Sequence, residues 1–179
     1  MIAGARETTL RAHRYTLPAL LLALILSACT PPPQYDEQTD KLISQLQTDV
    51  DSEIVTLITL DHKIAALSRQ TDPASQQALA AAKTAAGYDA NTPFYDKVDV
   101  NLTALQTRVD AEPTLATPYL DRGIKDLRDN LLAAEGSMQA THQKLNILSE
   151  PYLRTVRQIV DAQISALLTR EIGLKTPTK

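Results

Sequence analysis

Nine positions between Leu120 and Leu148 constrain this chain most. Leu120, Ile124, Leu127, Leu131, Ala134, Met138, Thr141, Leu145 and Leu148 follow one another at alternating spacings of four and three. A strand alternates faces every second residue and would scatter such a set, whereas a helix keeps it on one side. The spacing predicts a long helix packed along a heptad seam, as in a coiled coil or a bundle. Asp121–Lys125, Arg122–Asp126 and Lys125–Asp129 sit four apart on its solvent side and support the helix locally.

The rest of the chain divides at prolines. Asp72-Pro73, Thr92-Pro93, Thr117-Pro118 and Glu150-Pro151 each place a capping or acidic residue before a proline. Proline fits the first helical turn and pushes its predecessor out of helical geometry, so each pair predicts a helix start. A first helix is expected from about Tyr35 to Ser68, with Ile43, Leu46, Val50, Ile54, Leu57, Leu60, Ile64 and Leu67 as its apolar stripe. A second, alanine-rich helix is expected over Pro73 to Ala86, stopped by Gly87. A third is expected from Pro93 to about Asp110, with Phe94, Val98, Leu102, Leu105 and Val109 on one face. A last helix, Pro151 to Ile172, carries Leu153, Val156, Val160, Ile164 and Leu167. Glu150-Pro151 fits either a hairpin or a kink.

Tryptophan is absent and Phe94 is the sole phenylalanine, so the core must be built from Leu, Ile, Val and Ala. Five glycines and few β-branched runs point to helices. The expected fold is all-α: an elongated up-and-down helical bundle of about four to five helices over residues 35–172, with 173–179 as a flexible tail.

The N-terminus is of another kind. Arg6, Arg11 and Arg14 precede an apolar run from Leu17 to Leu26, and small residues Ser27 and Ala28 follow. This is the layout of a secretory signal over residues 1–28. A ten-residue run is too short to cross a bilayer core, which takes roughly 20 apolar residues. Leu26-Ser27-Ala28-Cys29 resembles the lipobox of bacterial lipoproteins. The resemblance implies lipidation of the Cys29 thiol, cleavage before it and acylation of the new amine. Several acyl chains together give stable anchoring where one gives only marginal binding. Thr30 rather than aspartate follows Cys29, which by the same resemblance favours the outer membrane. Residues 29–34, with Pro31, Pro32 and Pro33, form a short proline tether.

Cys29 is the only cysteine, so residues 29–179 have no intrachain disulfide. The leader's three arginines and one glutamate carry +2 of a whole-chain −3, which leaves −5 beyond residue 28. An acidic chain without clustered Lys and Arg argues against nucleic acid as a partner.

No pattern in the sequence points to catalysis. There is no Gly-x-Ser-x-Gly motif and no glycine-rich phosphate loop. His62 and His142 lack ligand-spaced neighbours and are expected at surface or boundary positions, so no metal or cofactor is expected. Asp49, Asp51 and Glu53 are expected to form a solvated acidic face. Tyr35, Tyr88, Tyr95, Tyr119 and Tyr152 lie at or near predicted helix ends. Their rings either cap the core with hydroxyls reaching water, or Tyr95, Tyr119 and Tyr152 form a rim that contacts a partner.

The function expected is therefore that of a membrane-anchored, periplasm-facing lipoprotein acting as a non-enzymatic interaction or assembly subunit. Its partners would be the membrane, through the acyl chains on Cys29, and other envelope proteins or further copies of itself. The alternative is a lipoprotein that holds a small apolar molecule or lipid between helices, where Ala134 and Thr141 leave space.

Overall fold

The computed structural model describes residues 35–112, 114–115 and 117–175. The signal segment, Cys29 and the proline tether lie outside the described residues, as do the last four residues. Every regular element among the described residues is helical: α1 Glu37–Leu67, α2 Pro73–Ala85, α3 Tyr88–Ala111, α4 Pro118–Arg128, α5 Met138–Leu145 and α6 Glu150–Lys175. Helix α4 continues into a π-helical turn, Asp129–Ala133.

Ion pairs and hydrogen bonds fix the directions. Asp36 pairs with Arg108 and Asp49 with Lys97, so α1 and α3 run antiparallel. Asp51 pairs with Arg157 and His62 with Glu150, so α1 and α6 run antiparallel. Gln106 bonds Asp121 and Arg128 bonds Asp99, so α3 and α4 run antiparallel. Helix α4 also packs on α6. The result is an up-down-up-down bundle in which α1 and α4 occupy one diagonal, and α2 packs on the side of α1.

The core is the aliphatic set the spacing marked. Ile43, Leu46, Val50, Ile54 and Leu57 of α1 are buried against Val98, Leu102, Leu105 and Val109 of α3 and the full stripe of α6. Leu60, Ile64 and Leu67 are only half-buried, because thin α2 supplies just Leu79 and Ala82 as buried residues. Between α4 and α6 the Leu167 side chain packs directly on the Gly123 backbone. A Cβ there would meet Leu167 Cδ2 at 2.6 Å.

Start signals act as expected at Asp72, whose carboxylate accepts from Ser75 N–H, and at Thr117, whose hydroxyl accepts from Leu120 N–H. Thr92-Pro93 does not start a helix. Helix α3 begins at Tyr88, and Pro93 lies inside it. Proline cannot donate to the Asp89 carbonyl; the Thr92 hydroxyl donates to it at 3.1 Å instead. The true start lies at Gly87, and the cap comes from afar: Asn146 Oδ1 accepts the Tyr88 N–H at 3.1 Å.

The heptad seam also breaks. After Leu131 the π turn inserts an extra residue per turn, Ala134 becomes extended and Gly136 turns at a φ of 87°. Ser137 then caps a new helix through Ala140 N–H. Past the break, Met138 and His142 face inward while Leu145 is 59% exposed. Asn146, in the left-handed region at φ 62°, ends α5. Pro151 sits in the first turn of α6, so the chain here forms two helices rather than one kinked one. Helix α6 runs to Lys175, three residues beyond the expected end.

Candidate functional site

Three polar groupings stand out from this aliphatic frame. The first lies inside it. His142 is fully buried, and its two ring nitrogens are both engaged. Nε2 is 2.9 Å from the Ala86 carbonyl and Nδ1 is 2.8 Å from Tyr95 Oη. A carbonyl can only accept, so Nε2 carries the proton and Nδ1 accepts from the Tyr95 hydroxyl. Tyr88 lies edge-on to the imidazole and stacks on Tyr95, with centroids 5.8 Å apart in each case. Phe94 closes the group against Tyr95 at 5.0 Å. Burial drives the Tyr95 hydroxyl far above its ordinary pKa, with the Glu53 charge adding to the shift.

His142 was expected at a surface or boundary position. The π turn and the break at Gly136 rotate it into the core, and no local spacing signals that rotation. His62 does lie at the surface and pairs with Glu150 at 2.7 Å. The three tyrosines do not share one exposed rim: Tyr95 is 1% exposed in the core, Tyr119 is 49% exposed at the start of α4, and Tyr152 is half-buried within electrostatic reach of Tyr95, donating to Gly136 O. The reason is the early start of α3, which puts Tyr95 two turns inside a helix and on its buried face.

The second grouping is the carboxylate trio of α1. It is not one solvated face. Asp49 accepts from Lys97 at 2.8 Å and Asn101 at 3.2 Å on α3, and Asp51 accepts from Arg157 at 2.9 Å on α6. Glu53 is half-buried between them. Its Oε1 has no hydrogen-bond partner, and burial raises its pKa.

The third is a surface groove between α1 and α3 of about 770 Å³. Leu42, Val100, Ala104 and Ala111 form its apolar wall, with Asp99 and Arg108 among its polar edges. Val100 is 65% exposed there. Gln38, in the first turn of α1, also lines it. Ala134 and Thr141, expected to leave space within the seam, are half-buried on either side of its break.

Among the described residues no cluster of three or more His, Cys, Asp or Glu side chains could hold a metal ion. None of their helices is long and apolar enough to cross a membrane. Compared with protein-family models, curated proteins and solved structures, the chain matches none.

Proposed function

We propose that this chain is a lipid-anchored subunit of the bacterial envelope, held at the outer membrane through Cys29, that works by binding another envelope protein. The anchor rests on Leu26-Ser27-Ala28-Cys29 and the proline tether that follows. The binding role rests on one observation, the groove between α1 and α3. Val100, Ala104, Thr107 and Ala111 recur along α3 at helical spacing and are small or short, so a second backbone can come close. The occupant that fits is an amphipathic helix whose apolar side covers Val100 and Leu42.

The test is site-specific photocrosslinking of the full-length protein in its own envelope. A crosslinker at Val100 or Ala104 is expected to trap one discrete envelope protein, and a crosslinker at exposed Glu135, between α4 and α5 and outside the groove lining, is not. Equal labelling from both positions, or none from the groove, would overturn the binding role. Retention of the Cys29→Ser protein in the outer membrane would overturn the anchor.

A further inference from the structure

Helix α5 is set apart from the rest of the bundle. Gly136 and Asn146, the positive-φ residues among those described, bracket it at φ 87° and φ 62°. Its eight residues bury only two side chains fully, Met138 and His142. An isolated helix of that length has little stability of its own, so packing must hold it. Met138 supplies the apolar contact. His142 supplies two hydrogen bonds, one to the last carbonyl before the α2–α3 junction and one to Tyr95.

The bond to Tyr95 requires a neutral imidazole, because Nδ1 accepts in it; the bond to Ala86 needs only the Nε2 proton. With Nε2 donating to the Ala86 carbonyl, a second proton on Nδ1 would point at the Tyr95 hydroxyl hydrogen, donor against donor. The hydroxyl would have to turn its own hydrogen away, and His142 is the one hydrogen-bond partner of Tyr95 Oη among the described residues. We propose that α5 is an acid-released latch: protonation of His142 breaks its bond to Tyr95, and α5 swings off the α2–α3 junction about Gly136 and Asn146.

The surroundings bear on the charge balance from every side. Helix α3 presents Tyr88 and Tyr95, and α6 presents Tyr152. Helix α1 presents Glu53, which acts on Tyr95. The α2 end presents only the Ala86 carbonyl, and the π turn keeps Asp129 outside, paired with Lys125. Glu53 is the one carboxylate in this set, and it makes no hydrogen bond to the imidazole. Burial lowers the His142 pKa below the ordinary histidine value, against the pull of the backbone groups of Ala86 and Asn146. A base whose folded pKa is depressed stabilises the fold fully above its unfolded pKa, near 6.5, and loses that contribution as pH falls towards the folded value. Release of α5 would expose Met138 and the α2–α3 junction at Ala86, both now buried, and more of half-buried Tyr88.

Hydrogen exchange of the full-length protein at pH 7.5 and pH 5.5, corrected for intrinsic chemistry, tests the latch. Amides of 138–148 are expected to open about tenfold more at pH 5.5, as one proton taken up on opening requires, while amides of Leu46–Leu57 and Leu153–Leu167 stay unchanged. His142→Gln, which keeps a donor and an acceptor but cannot take the proton, is expected to abolish the difference. A wild-type ratio within twofold, or a tenfold difference that survives in His142→Gln, would overturn the proposal. If His142→Gln does not fold by circular dichroism, a histidine NMR titration of the wild-type protein decides instead. Coincidence of the His142 midpoint with the opening midpoint is expected. Opening that tracks the carboxylate range near pH 4 would overturn the latch.

Discussion

Arg108 grips Asp36 with both Nε and Nη2, one to each carboxylate oxygen, across 72 residues of sequence. The same carboxylate caps α1, accepting from Thr39 N–H at 2.8 Å and Thr39 Oγ1 at 2.6 Å. One side chain thus starts the first helix and ties it to the last turn of α3. The Arg108 bond is the chief reason the Asp36 carboxyl is held well below the usual carboxylate range, with Thr39 adding to it.

Asp36→Asn keeps the shape and removes the charge. It is expected to cost about 1 kcal/mol at pH 7, the worth of the half-shielded ion pair with Arg108, since asparagine caps a helix as well as aspartate does. A carboxyl with a depressed pKa stabilises the fold fully above its unfolded value, near 3.8, and loses that contribution progressively as pH falls from there towards the folded value. The gap between wild type and variant in urea titrations should therefore close below about pH 4.

The broken seam makes a sharp contrast. Leu131 is 0% exposed and Leu145 is 59% exposed, although both hold heptad positions. Leu131→Ala is expected to cost about 2–5 kcal/mol, and Leu145→Ala no more than about 0.5 kcal/mol. Similar losses at both sites in chemical denaturation would mean that the heptad continues through Gly136.

At Gly123 the Leu167 side chain of α6 fills the space where a Cβ would stand. A longer side chain there must displace buried Leu167. Gly123→Leu is expected to destabilise by about 1–3 kcal/mol through overpacking, despite its better helix propensity. The double variant Gly123→Leu, Leu167→Ala should recover part of that loss, as a double-mutant cycle would measure.

Glu53 carries a burial penalty with no charged partner to offset it. A carboxyl whose pKa is raised stabilises the fold fully below its unfolded value, near 4.5, and loses that contribution as pH rises. Glu53→Gln is therefore expected to raise the melting temperature at pH 7 and to leave it unchanged at pH 4. A lower melting temperature at pH 7 would show that the charge is needed where it sits.

Cys29 has no thiol partner within the chain. Cys29→Ser is expected to leave the helical bundle folded by circular dichroism and to accumulate as an unprocessed precursor. The wild-type protein should incorporate labelled palmitate and the variant should not. Absence of label in the wild type would remove the lipid anchor.

Much of this bundle was legible in the chain because its rules are local. The stripes of α1, α3 and α6 follow from helical period and aliphatic content, and Ile43 to Leu57, Val98 to Val109 and Leu153 to Leu167 are buried as their spacing requires. Asp72-Pro73 and Thr117-Pro118 start helices because a cap and a proline act within one turn.

What the chain could not reveal is set by contacts between distant residues. The α3 start depends on Asn146, 58 residues beyond Tyr88. The interior place of His142 depends on a π turn and on Tyr95, 47 residues away. The split of Asp49 and Asp51 between α3 and α6 depends on which helices became neighbours of α1. By itself the sequence determined which faces must be buried, because burial follows hydrophobic period. Only the tertiary structure decided which polar groups meet inside, because a buried donor or acceptor takes whatever partner the packed helices bring within reach.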